Sequence, residues 1–325
     1  MSSPRSATPG GLPDRRRAER WVLVTLAVFA VAVLAAGLGS GGAELLASLA
    51  RIDAGLMALL LGMALASFTL RFLRWHLAAR ALGIDVPVLV HAGFFLAGFS
   101  MTLTPGRVGE VLRLWLLRKY GGFRYEKIAP LLFVDRLSDV VAIAIIASLA
   151  ALLIGKYLLL SVMALAGALA LNLVFFAPRP FLWMTGAAYG MTRRAPRLFA
   201  RIRVALRQMG RLSDRRVYAG VLVLSLASWL TEGLAFHLLL GRLAADLSAA
   251  ASVLVFTLAT LAGVVTMLPG GLAGAEFSML GMLLALGVPS AAAVAATAVI
   301  RVVTLWFAVL VGFIALPFAL RKVGR

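Results

Sequence analysis

The sequence predicts an all-α polytopic membrane protein with about six full transmembrane helices and two re-entrant helical hairpins, arranged as an inverted-topology repeat. Its 325 residues are 62% hydrophobic and only 14% charged, whereas soluble domains are about 25% charged. Several apolar runs reach the length of about 20 residues that a membrane span needs. Two further apolar runs are interrupted by Pro-Gly clusters, and similar landmarks recur in both halves of the chain. These observations exclude a water-soluble fold.

The residue types that are missing exclude several kinds of site. The chain has no cysteine, which excludes disulfides, thiolate metal sites and cysteine nucleophiles. His76, His91 and His237 are too scattered along the sequence to suggest a metal site. No P-loop motif is present. We therefore expect no metal, no cofactor and no use of ATP by this chain.

Six apolar runs qualify as full spans. Residues 1–20 form a polar, basic tail that we place in the cytoplasm. The run after this tail is long for the core of a signal peptide, so we expect it to be retained as the first span. The six runs cover residues 21–38, 54–82, 129–154, 157–177, 217–240 and 291–320. A short basic tail, residues 321–325, follows the last of them.

Two other apolar stretches, 88–119 and 249–286, each contain a Pro-Gly cluster that is followed by a carboxylate. A proline removes a helix donor and glycine loosens the helix, and unwound backbone is tolerated in a membrane only where protein or water covers it. Each stretch is therefore predicted to be a re-entrant hairpin, with two half-helices meeting at an unwound tip. The two clusters read Pro105-Gly106-Arg107-Val108-Gly109-Glu110 and Pro269-Gly270-Gly271 with Glu276 five positions later.

The basic residues predict the orientation, because Lys and Arg near the ends of spans stay on the cytoplasmic side. The only basic residues in the loops predicted to face outward are Arg51, Lys156 and Arg242. The net charge of +19 is thus an orientation signal, and nucleic acid is not an expected partner. We expect a bacterial-type cytoplasmic (inner) membrane with both termini in the cytoplasm. The inward-facing clusters are Arg71/Arg74/Arg80, Arg118/Lys119/Arg124/Lys127, 179–216 and Arg321/Lys322/Arg325.

The segment 179–216, between the two halves, is the most basic part of the chain. Nine arginines lie between positions 193 and 216, and Leu198, Ile202, Leu206 and Met209 form an apolar stripe at helical spacing. This pattern favours an amphipathic helix on an anionic leaflet, with lipid headgroups as its partners. A solvated basic linker is the alternative.

The two halves, 21–154 and 155–320, share landmarks at nearly constant spacing. In the predicted topology the span with Arg71 runs inward and the span with Glu232 runs outward, so the halves are predicted to be inverted repeats. Such repeats with discontinuous helices are typical of alternating-access transporters, whose substrate site lies near the hairpin tips. A duplicated structural protein without transport is the alternative. The matches are His76 with His237 (161 positions apart), Pro105 with Pro269 (164), Arg136 with Arg301 (165) and Glu110 with Glu276 (166).

Ionisable residues inside the predicted spans are costly in lipid unless they are paired or reach water, so they are candidate site residues. We predict two ion pairs, Glu110 with Arg136 and Glu276 with Arg301, one in each half. The predicted substrate-binding residues are Arg107, Glu110, Arg113, Arg136, Asp139, Glu276 and Arg301. The secondary candidates are Arg71, Arg74, Asp135, Glu232, Pro105, Pro269, Gly270 and Gly271. No residue is predicted to be catalytic.

Guanidinium groups and the backbone N–H groups of glycine-rich tips both suit phosphate, which makes an anionic headgroup the predicted substrate. Salt bridges that only hold the hairpins in place are the alternative role for the same residues. Arg71 and Arg74, near the end of a predicted span, are interpreted as snorkelling anchors. The Phe and Met residues are interpreted as lipid-facing or core surface.

These motifs resemble the flippase-like membrane proteins that include the N-terminal membrane region of lysylphosphatidylglycerol synthase, also called the multiple peptide resistance factor. The resemblance covers residues 20–320. It implies that a phospholipid or lipid-linked headgroup is moved between leaflets. The aminoacyl-transferase domain of the full synthases has no counterpart in this sequence, so synthase activity is not implied. The motifs are Arg71-x-x-Arg74-Trp75, Pro105 to Glu110 with Arg113, Asp135-Arg136 with Asp139, and Pro269-Gly270-Gly271 with Glu276 and Arg301.

The sequence thus predicts a flippase or scramblase that is not an enzyme and that moves an anionic or aminoacylated phospholipid. A secondary transporter of a small soluble anion and a membrane lipid-modifying transferase are the alternatives. Membrane phospholipids are the expected partners. Two further candidate partners are a separate lipid-synthesising enzyme and a second copy of the chain.

Overall fold

The computed structural model of the chain describes residues 42–104, 108–155, 214–266 and 269–324, with isolated positions between 159 and 212. Within these ranges the regular structure is helical, with no strand. Several predictions fall outside the described residues, wholly or for the most part. They are the tail 1–20, the spans 21–38 and 157–177, the basic segment 179–216 and the tip residues Pro105, Gly106 and Arg107.

Ten α-helices lie in the described ranges, and they follow the apolar runs of the sequence. In a membrane each backbone N–H and C=O must be paired inside the protein, which makes a helix the local solution for an isolated apolar run. The helices are α1 (Gly42–Ala50), α2 (Ala54–Ala81), α3 (Val88–Ala97), α4 (Val108–Gly121), α5 (Tyr125–Ile154), α6 (Arg215–Arg242), α7 (Ala249–Val265), α8 (Gly274–Ala285), α9 (Ser290–Arg301) and α10 (Phe307–Val323).

Four of the described helices are long and apolar enough to cross a membrane. They are α2, α5, α6 and the continuous helix Ser290–Val323, in which a π turn, Val302–Trp306, joins α9 to α10. These four correspond to four of the six predicted spans. Three shorter apolar helices occur in the predicted hairpins, at Val88–Met101, Ala249–Val264 and Gly274–Ala285. The prediction of an all-helical membrane protein is confirmed, whereas the number of spans and the depth of the hairpins stay predictions.

Both predicted hairpin stretches are interrupted at their Pro-Gly clusters. In the first, α3 ends in a 3₁₀ turn, Gly98–Met101, and the next helix begins only at Val108. In the second, α7 ends at Val265 and α8 begins at Gly274. Gly270 and Gly271, between them, have φ angles of 63° and 67°. This left-handed backbone is open to glycine at no steric cost, so the glycines let the chain turn there.

Glycines also let the two legs of each hairpin approach closely. A Cβ atom on Gly109 would lie 2.1 Å from the carbonyl oxygen of Gly98 in the opposite leg. In the second hairpin, a Cβ on Gly263 would lie 2.9 Å from the carbonyl oxygen of Gly271. A side chain at Gly109 would therefore force the legs of the first hairpin apart.

The helices of the two halves begin at matching positions, and the longest matching pair also agrees in length. Helices α2 and α6 both have 28 residues and begin 161 positions apart, and Asp53 and Asp214 cap their N-termini. Helices α3 and α7 also begin 161 positions apart, and α5 and α9 begin 165 apart. Side-chain contacts repeat too. His76 Nδ1 lies 2.9 Å from His91 Nδ1, and His237 Nδ1 lies 3.1 Å from the hydroxyl of a serine 15 positions further on.

The matching helices α2 and α6 pack against each other in opposite directions. Near the middle of α2, Ser67 Oγ donates a hydrogen bond to Glu232 Oε1 over 2.7 Å. One to two turns later on α2, Arg74 Nη1 donates to Ser225 Oγ over 2.9 Å. Residue numbers rise along α2 while those of their partners fall along α6, so the two helices are antiparallel. Other helices also pack across the two halves. Helix α5 of the first half packs on α7 of the second, and α10 of the second half packs on α3 of the first.

A layer of polar side chains separates two apolar cores. On α2, residues up to Phe68 belong to one core and residues from Phe72 onward belong to the other. Helices α5 and α6 change core in the same way, at Val134 to Ala142 and at Val221 to Trp229. The buried charges of α2, α5 and α6 lie at this change or within one turn of it, away from the ends of the three long helices.

Candidate functional site

Arg74 is the centre of the buried polar layer. It is only 2% exposed, and its guanidinium donates to the carboxylates of Asp135 and Asp139 on α5 and to Ser225 on α6. The bond to Asp139 Oδ1 measures 2.5 Å. One planar fork thus links three spans, a geometry that suits arginine and not lysine. The interpretation of Arg74 as a snorkelling anchor is wrong, because its charge is paired inside the protein and does not reach the membrane surface.

Arg71, one turn before Arg74, also points into the protein. Its Nη2 donates to Glu232 Oε1 over 3.0 Å, and its guanidinium lies 4.1 Å from the ring centroid of Trp229. Trp229 in turn donates from Nε1 to Asp139 Oδ1 over 2.8 Å. Arg71 is therefore held by a buried carboxylate and an aromatic face, and the snorkelling interpretation is wrong for it as well.

The predicted pair of the first half is present and belongs to a larger cluster. Arg136 Nη2 lies 2.6 Å from Glu110 Oε1, and the same guanidinium lies 3.6 Å from a carboxylate oxygen of Asp135 and of Asp139. The side chain of Arg136 is 41% exposed, far more than that of the aspartates. Arg136 is thus more accessible than the carboxylates that it contacts, of which Asp135 and Asp139 are buried and Glu110 is 18% exposed.

Arg113 completes the cluster of the first half. Its Nε donates to the backbone carbonyl of Phe95 over 3.0 Å, and its guanidinium lies 3.9 Å from the centroid of the Phe95 ring. The closest carboxylate oxygen, on Asp135, is 3.9 Å from Nη1. Arg113 therefore ties α4 to α3 through a carbonyl and an aromatic face, and this contact joins the two legs of the first hairpin.

The predicted pair of the second half is also present, and it is simpler. Arg301 Nε donates to Glu276 Oε1 over 2.6 Å, and Nη2 donates to the carbonyl oxygen of Gly270 over 2.8 Å. The side chain of Arg301 is 12% exposed. The π turn begins at the next residue, and such turns are frequent at functional sites. Arg301 thus fastens the tip of the second hairpin to the last membrane span.

A cavity of about 220 Å³ lies where the two halves meet. It is lined by four arginines, two glutamates, four aromatic residues, three threonines and the glycines of both hairpins. Such a lining offers several cationic donors beside apolar walls, which is a suitable site for an anion that carries an apolar part. The polar and aromatic lining residues are Arg71, Arg113, Arg136, Arg301, Glu110, Glu232, Phe68, Phe99, Trp229, Phe256, Thr102, Thr260 and Thr304.

The structure brings together most of the predicted site residues, in two groups. One group lines the cavity itself: Glu110, Arg113, Arg136, Arg301, Arg71, Glu232, Gly270 and Gly271. The other group lies behind the first and holds it: Asp135, Asp139, Glu276 and Arg74. Pro105 and Arg107 lie outside the described residues, and Pro269 belongs to the 3₁₀ turn at the second tip. Whether these residues bind a substrate stays a prediction.

The cavity also has lining residues that the sequence did not single out. Phe68, Phe99, Trp229 and Phe256 form its aromatic wall. The three phenylalanines belong to or pack against an apolar core, as interpreted, and they line the cavity as well. Phe68 and Trp229 occupy equivalent positions, 161 apart, one turn before Arg71 and Glu232. This match of two aromatic residues across the internal repeat is a sequence signal that could have identified them as lining residues.

The two walls of the cavity differ in charge. At the positions that correspond to Arg113 and Asp139, 166 and 165 residues later, the second half has Met279 and Thr304. The first half therefore carries a dense network of charges, while the second carries one ion pair. No group of His, Cys, Asp and Glu suited to a metal occurs in the part of the chain that was searched, namely the described residues.

Fold and site together define a multi-pass helical membrane protein with a charged cavity between two similar halves. Within that class, the chain belongs to the family described as the lysylphosphatidylglycerol synthase TM region, which matches residues 22–312. The predicted resemblance is thereby confirmed, and family membership supports a role connected with membrane lipids.

Two relatives share one description and one organism. The first, a "UPF0104 membrane protein" of the archaeon Methanothermobacter thermautotrophicus, is 29% identical over 325 aligned positions, which cover 91% of this chain and 94% of the relative. The second match is 35% identical over 94 residues, 29% of this chain and 28% of the relative. The full-length similarity shows that this chain is similar to a membrane protein of nearly the same extent.

Proposed function

We propose that the protein is a flippase or scramblase that moves an anionic or aminoacylated phospholipid, or a lipid-linked headgroup, between leaflets. The observation that carries this proposal is the cavity, which is lined by arginines from both halves and by residues of both hairpins. Guanidinium groups bind phosphate through two parallel hydrogen bonds, and the aromatic wall offers apolar contact to the adjoining acyl chains.

The movement would use the two halves as inverted repeats. Support comes from α2 and α6, which have equal lengths, equivalent positions and antiparallel packing. When two equivalent helices run in opposite directions, the operation that relates their halves exchanges the two sides of the membrane. Re-entrant hairpins that enter from opposite sides could then alternate in closing the cavity, as in other transporters with inverted repeats.

In this mechanism Arg136 and Arg301 contact the phosphate, since they are equivalent residues that line the cavity from the two halves. Arg71 and Arg113 add positive charge to the same wall. Glu110 and Glu276 hold the two first-named arginines, and their negative charges, with that of Asp139, would offset an aminoacyl ammonium. No bond of the lipid changes in this scheme, so we propose transport without catalysis.

The same cations would also serve a small soluble anion, which is the alternative function. The aromatic wall favours the lipid, because a free anion gains nothing from apolar contact. A lipid-modifying transferase is a further alternative, and it would produce a chemically altered lipid. We place the protein in the cytoplasmic membrane with both termini inside. The proposed partners are its phospholipids, a separate lipid-synthesising enzyme and a second copy of the chain.

The test is lipid movement in vesicles that contain the purified protein. Headgroup-labelled phosphatidylglycerol in the inner leaflet is assayed by quenching with a reagent that cannot cross the membrane. We expect wild-type protein to expose the inner label, and Arg301→Ala and Arg136→Ala to slow this exposure at least tenfold. Arg242→Ala is the matched control, because Arg242 is exposed and lies 4.0 Å from Asp53 far from the cavity.

Two results would reject the proposal. The first is a wild-type rate equal to that of protein-free vesicles, and the second is normal movement by both cavity variants when they are folded. Uptake of radiolabelled sulfate into the same vesicles without lipid movement would favour the small-anion alternative. Mass spectrometry of the recovered lipid distinguishes a transferase from a transporter.

A further inference from the structure

The second half contains one isolated ion pair. Between Asp246 and Arg321, a stretch of 74 residues, Glu276 and Arg301 are the only ionisable residues in the sequence. They contact each other directly, with Nε of the arginine 2.6 Å from Oε1 of the glutamate. Each is therefore the only local counter-ion of the other, in surroundings that are otherwise apolar.

The two oxygens of the Glu276 carboxylate differ in their hydrogen bonding. Oε1 of Glu276 accepts the hydrogen bond from Arg301, whereas the buried Oε2 has no hydrogen-bond partner among the described residues. Arg301 lines the cavity and Glu276 lies behind it. A buried oxygen without a donor is costly for an ionised carboxylate, and it is the atom on which a proton would sit.

The elements around Glu276 offer no second cation. Helix α8 packs against α7 and α9. Helix α7 has no ionisable residue, and in α9 the only one is Arg301. The charged groups across the cavity are Arg71, Arg113 and Arg136 with Glu110 and Glu232, and Asp135, Asp139 and Arg74 lie behind them. These four arginines and four carboxylates balance one another.

A phosphate that binds Arg301 would place a second anion on the same guanidinium. Two like charges that share one site in apolar surroundings cannot both stay ionised without a large cost. A phosphodiester is a much stronger acid than a carboxylic acid, so the carboxylate is the group that takes up the proton. Neutral Glu276 can still accept the hydrogen bond at Oε1 while Oε2 carries the hydrogen.

We propose that binding of a phosphate-type anion at Arg301 is coupled to uptake of one proton by Glu276, so that the anion and the proton cross together. The step is balanced: an O–H bond forms at Oε2 with a proton from water when the anion binds, and it breaks when the anion leaves. This inference rests on the proposed function and adds the ion that drives it. An inward or outward proton gradient would then set the direction of transport.

The first half is expected to behave differently. Glu110 faces Arg136, which also lies 3.6 Å from Asp135 and Asp139, and Asp139 is held by Arg74 and Trp229. An added anion there can be accommodated by small shifts among several charged neighbours. Because Glu110 holds a cavity arginine, the matched control for Glu276→Gln is Glu44→Gln, which also removes one carboxylate in the first turn of a helix but at an exposed residue that does not line the cavity.

The experiment is calorimetric titration of the purified full chain in detergent, repeated in two buffers with different ionisation enthalpies. The probes are dioctanoyl phosphatidylglycerol and inorganic sulfate, whose charge is constant over the neutral range. We expect wild-type protein to take up close to one proton per bound anion, with affinity falling about tenfold per pH unit over the pH range in which the proton is taken up. Glu276→Gln should bind without proton uptake and with little pH dependence, and Glu44→Gln should keep the uptake.

The outcomes separate the two proposals. If the wild type binds either probe without proton uptake, or if folded Glu276→Gln takes up the same proton, the coupling is overturned while lipid transport stands. The wild-type comparison needs no variant, so a misfolded variant does not decide the result. Sulfate binding alone would keep the coupling for a free anion and reject the lipid. If neither probe binds, the proposed function and the coupling both fail.

Discussion

Replacing Arg74 by alanine should destabilise the protein strongly, although Arg74 does not line the cavity. The variant leaves Asp135 and Asp139 in place, both buried and both deprived of their shortest ion pair. It also removes the donor to Ser225, which links α2 to α6. One substitution therefore breaks contacts among three of the four long spans.

The magnitude follows from what remains around the two aspartates. Removing one partner of a buried ion pair costs about 3–5 kcal/mol when the other charge is left without compensation. Here Asp139 keeps the hydrogen bond from Trp229, and both aspartates keep Arg136 at 3.6 Å. We therefore expect a loss near the lower end, about 3 kcal/mol. Arg74→Lys keeps the charge but not the fork, and it should lose about 1.5 kcal/mol.

The assay is reversible unfolding in mixed micelles with rising denaturing detergent, followed by tryptophan fluorescence. Arg242→Ala is the control, and as an exposed pair it should change stability by less than about 1 kcal/mol. A double-mutant cycle of Arg74→Ala with Asp139→Asn should give a coupling energy of about 1–3 kcal/mol. A loss for Arg74→Ala no larger than that of the control would refute the account of the buried layer.

Three further predictions concern the hairpins and the aromatic wall. Gly109→Ala should lower stability by about 1–3 kcal/mol because its Cβ would overlap the opposite leg, whereas Gly62→Ala, with open space at its Cβ, should be neutral or stabilising in the same unfolding assay. The chain has no native cysteine, so single cysteines at Val108 and Leu272 can be tested with a maleimide that does not cross the membrane. We expect them to react from opposite sides, and reaction of both from one side would contradict opposed hairpins. Trp229→Phe should cost about 1–3 kcal/mol through the lost donor to a buried carboxylate, and a stability equal to wild type would show that this bond contributes nothing.

The sequence was sufficient for the helices in the long apolar runs and for the two ion pairs, whereas the short helix α1 (Gly42–Ala50) lies in no predicted run. A long apolar run in a membrane forms a helix. Prolines together with glycines interrupt helices, so the positions of the breaks could be predicted from the sequence. The pairs Glu110 with Arg136 and Glu276 with Arg301 were predictable because both sit at equivalent positions of a repeat. Aligning the two halves indicates which residues form equivalent pairs, and one half alone does not contain this information.

The buried layer could not be predicted in the same way. The sequence puts Arg74 seven residues before the end of α2, where a snorkelling arginine and a buried one have the same pattern. Whether Arg74 is buried depends on its ion-pair partner, and that partner, Asp135, is 61 positions away on another helix. Which side of a helix meets which neighbour depends on packing angles, and no single sequence contains them. The aromatic wall is a different case, because the match of Phe68 with Trp229 across the repeat was already present in the sequence.

The unequal exposure of the two equivalent arginines gives the protein an internal reporter. Arg136 is 41% exposed and Arg301 is 12% exposed, although both occupy the same position in their halves. A water-soluble reagent for guanidinium groups would modify the first and spare the second in the conformation described above. If the cavity closes on one side and opens on the other, the order of reactivity reverses. The extent of modification at Arg136 relative to Arg301, measured by peptide mass spectrometry, therefore reports which conformation predominates.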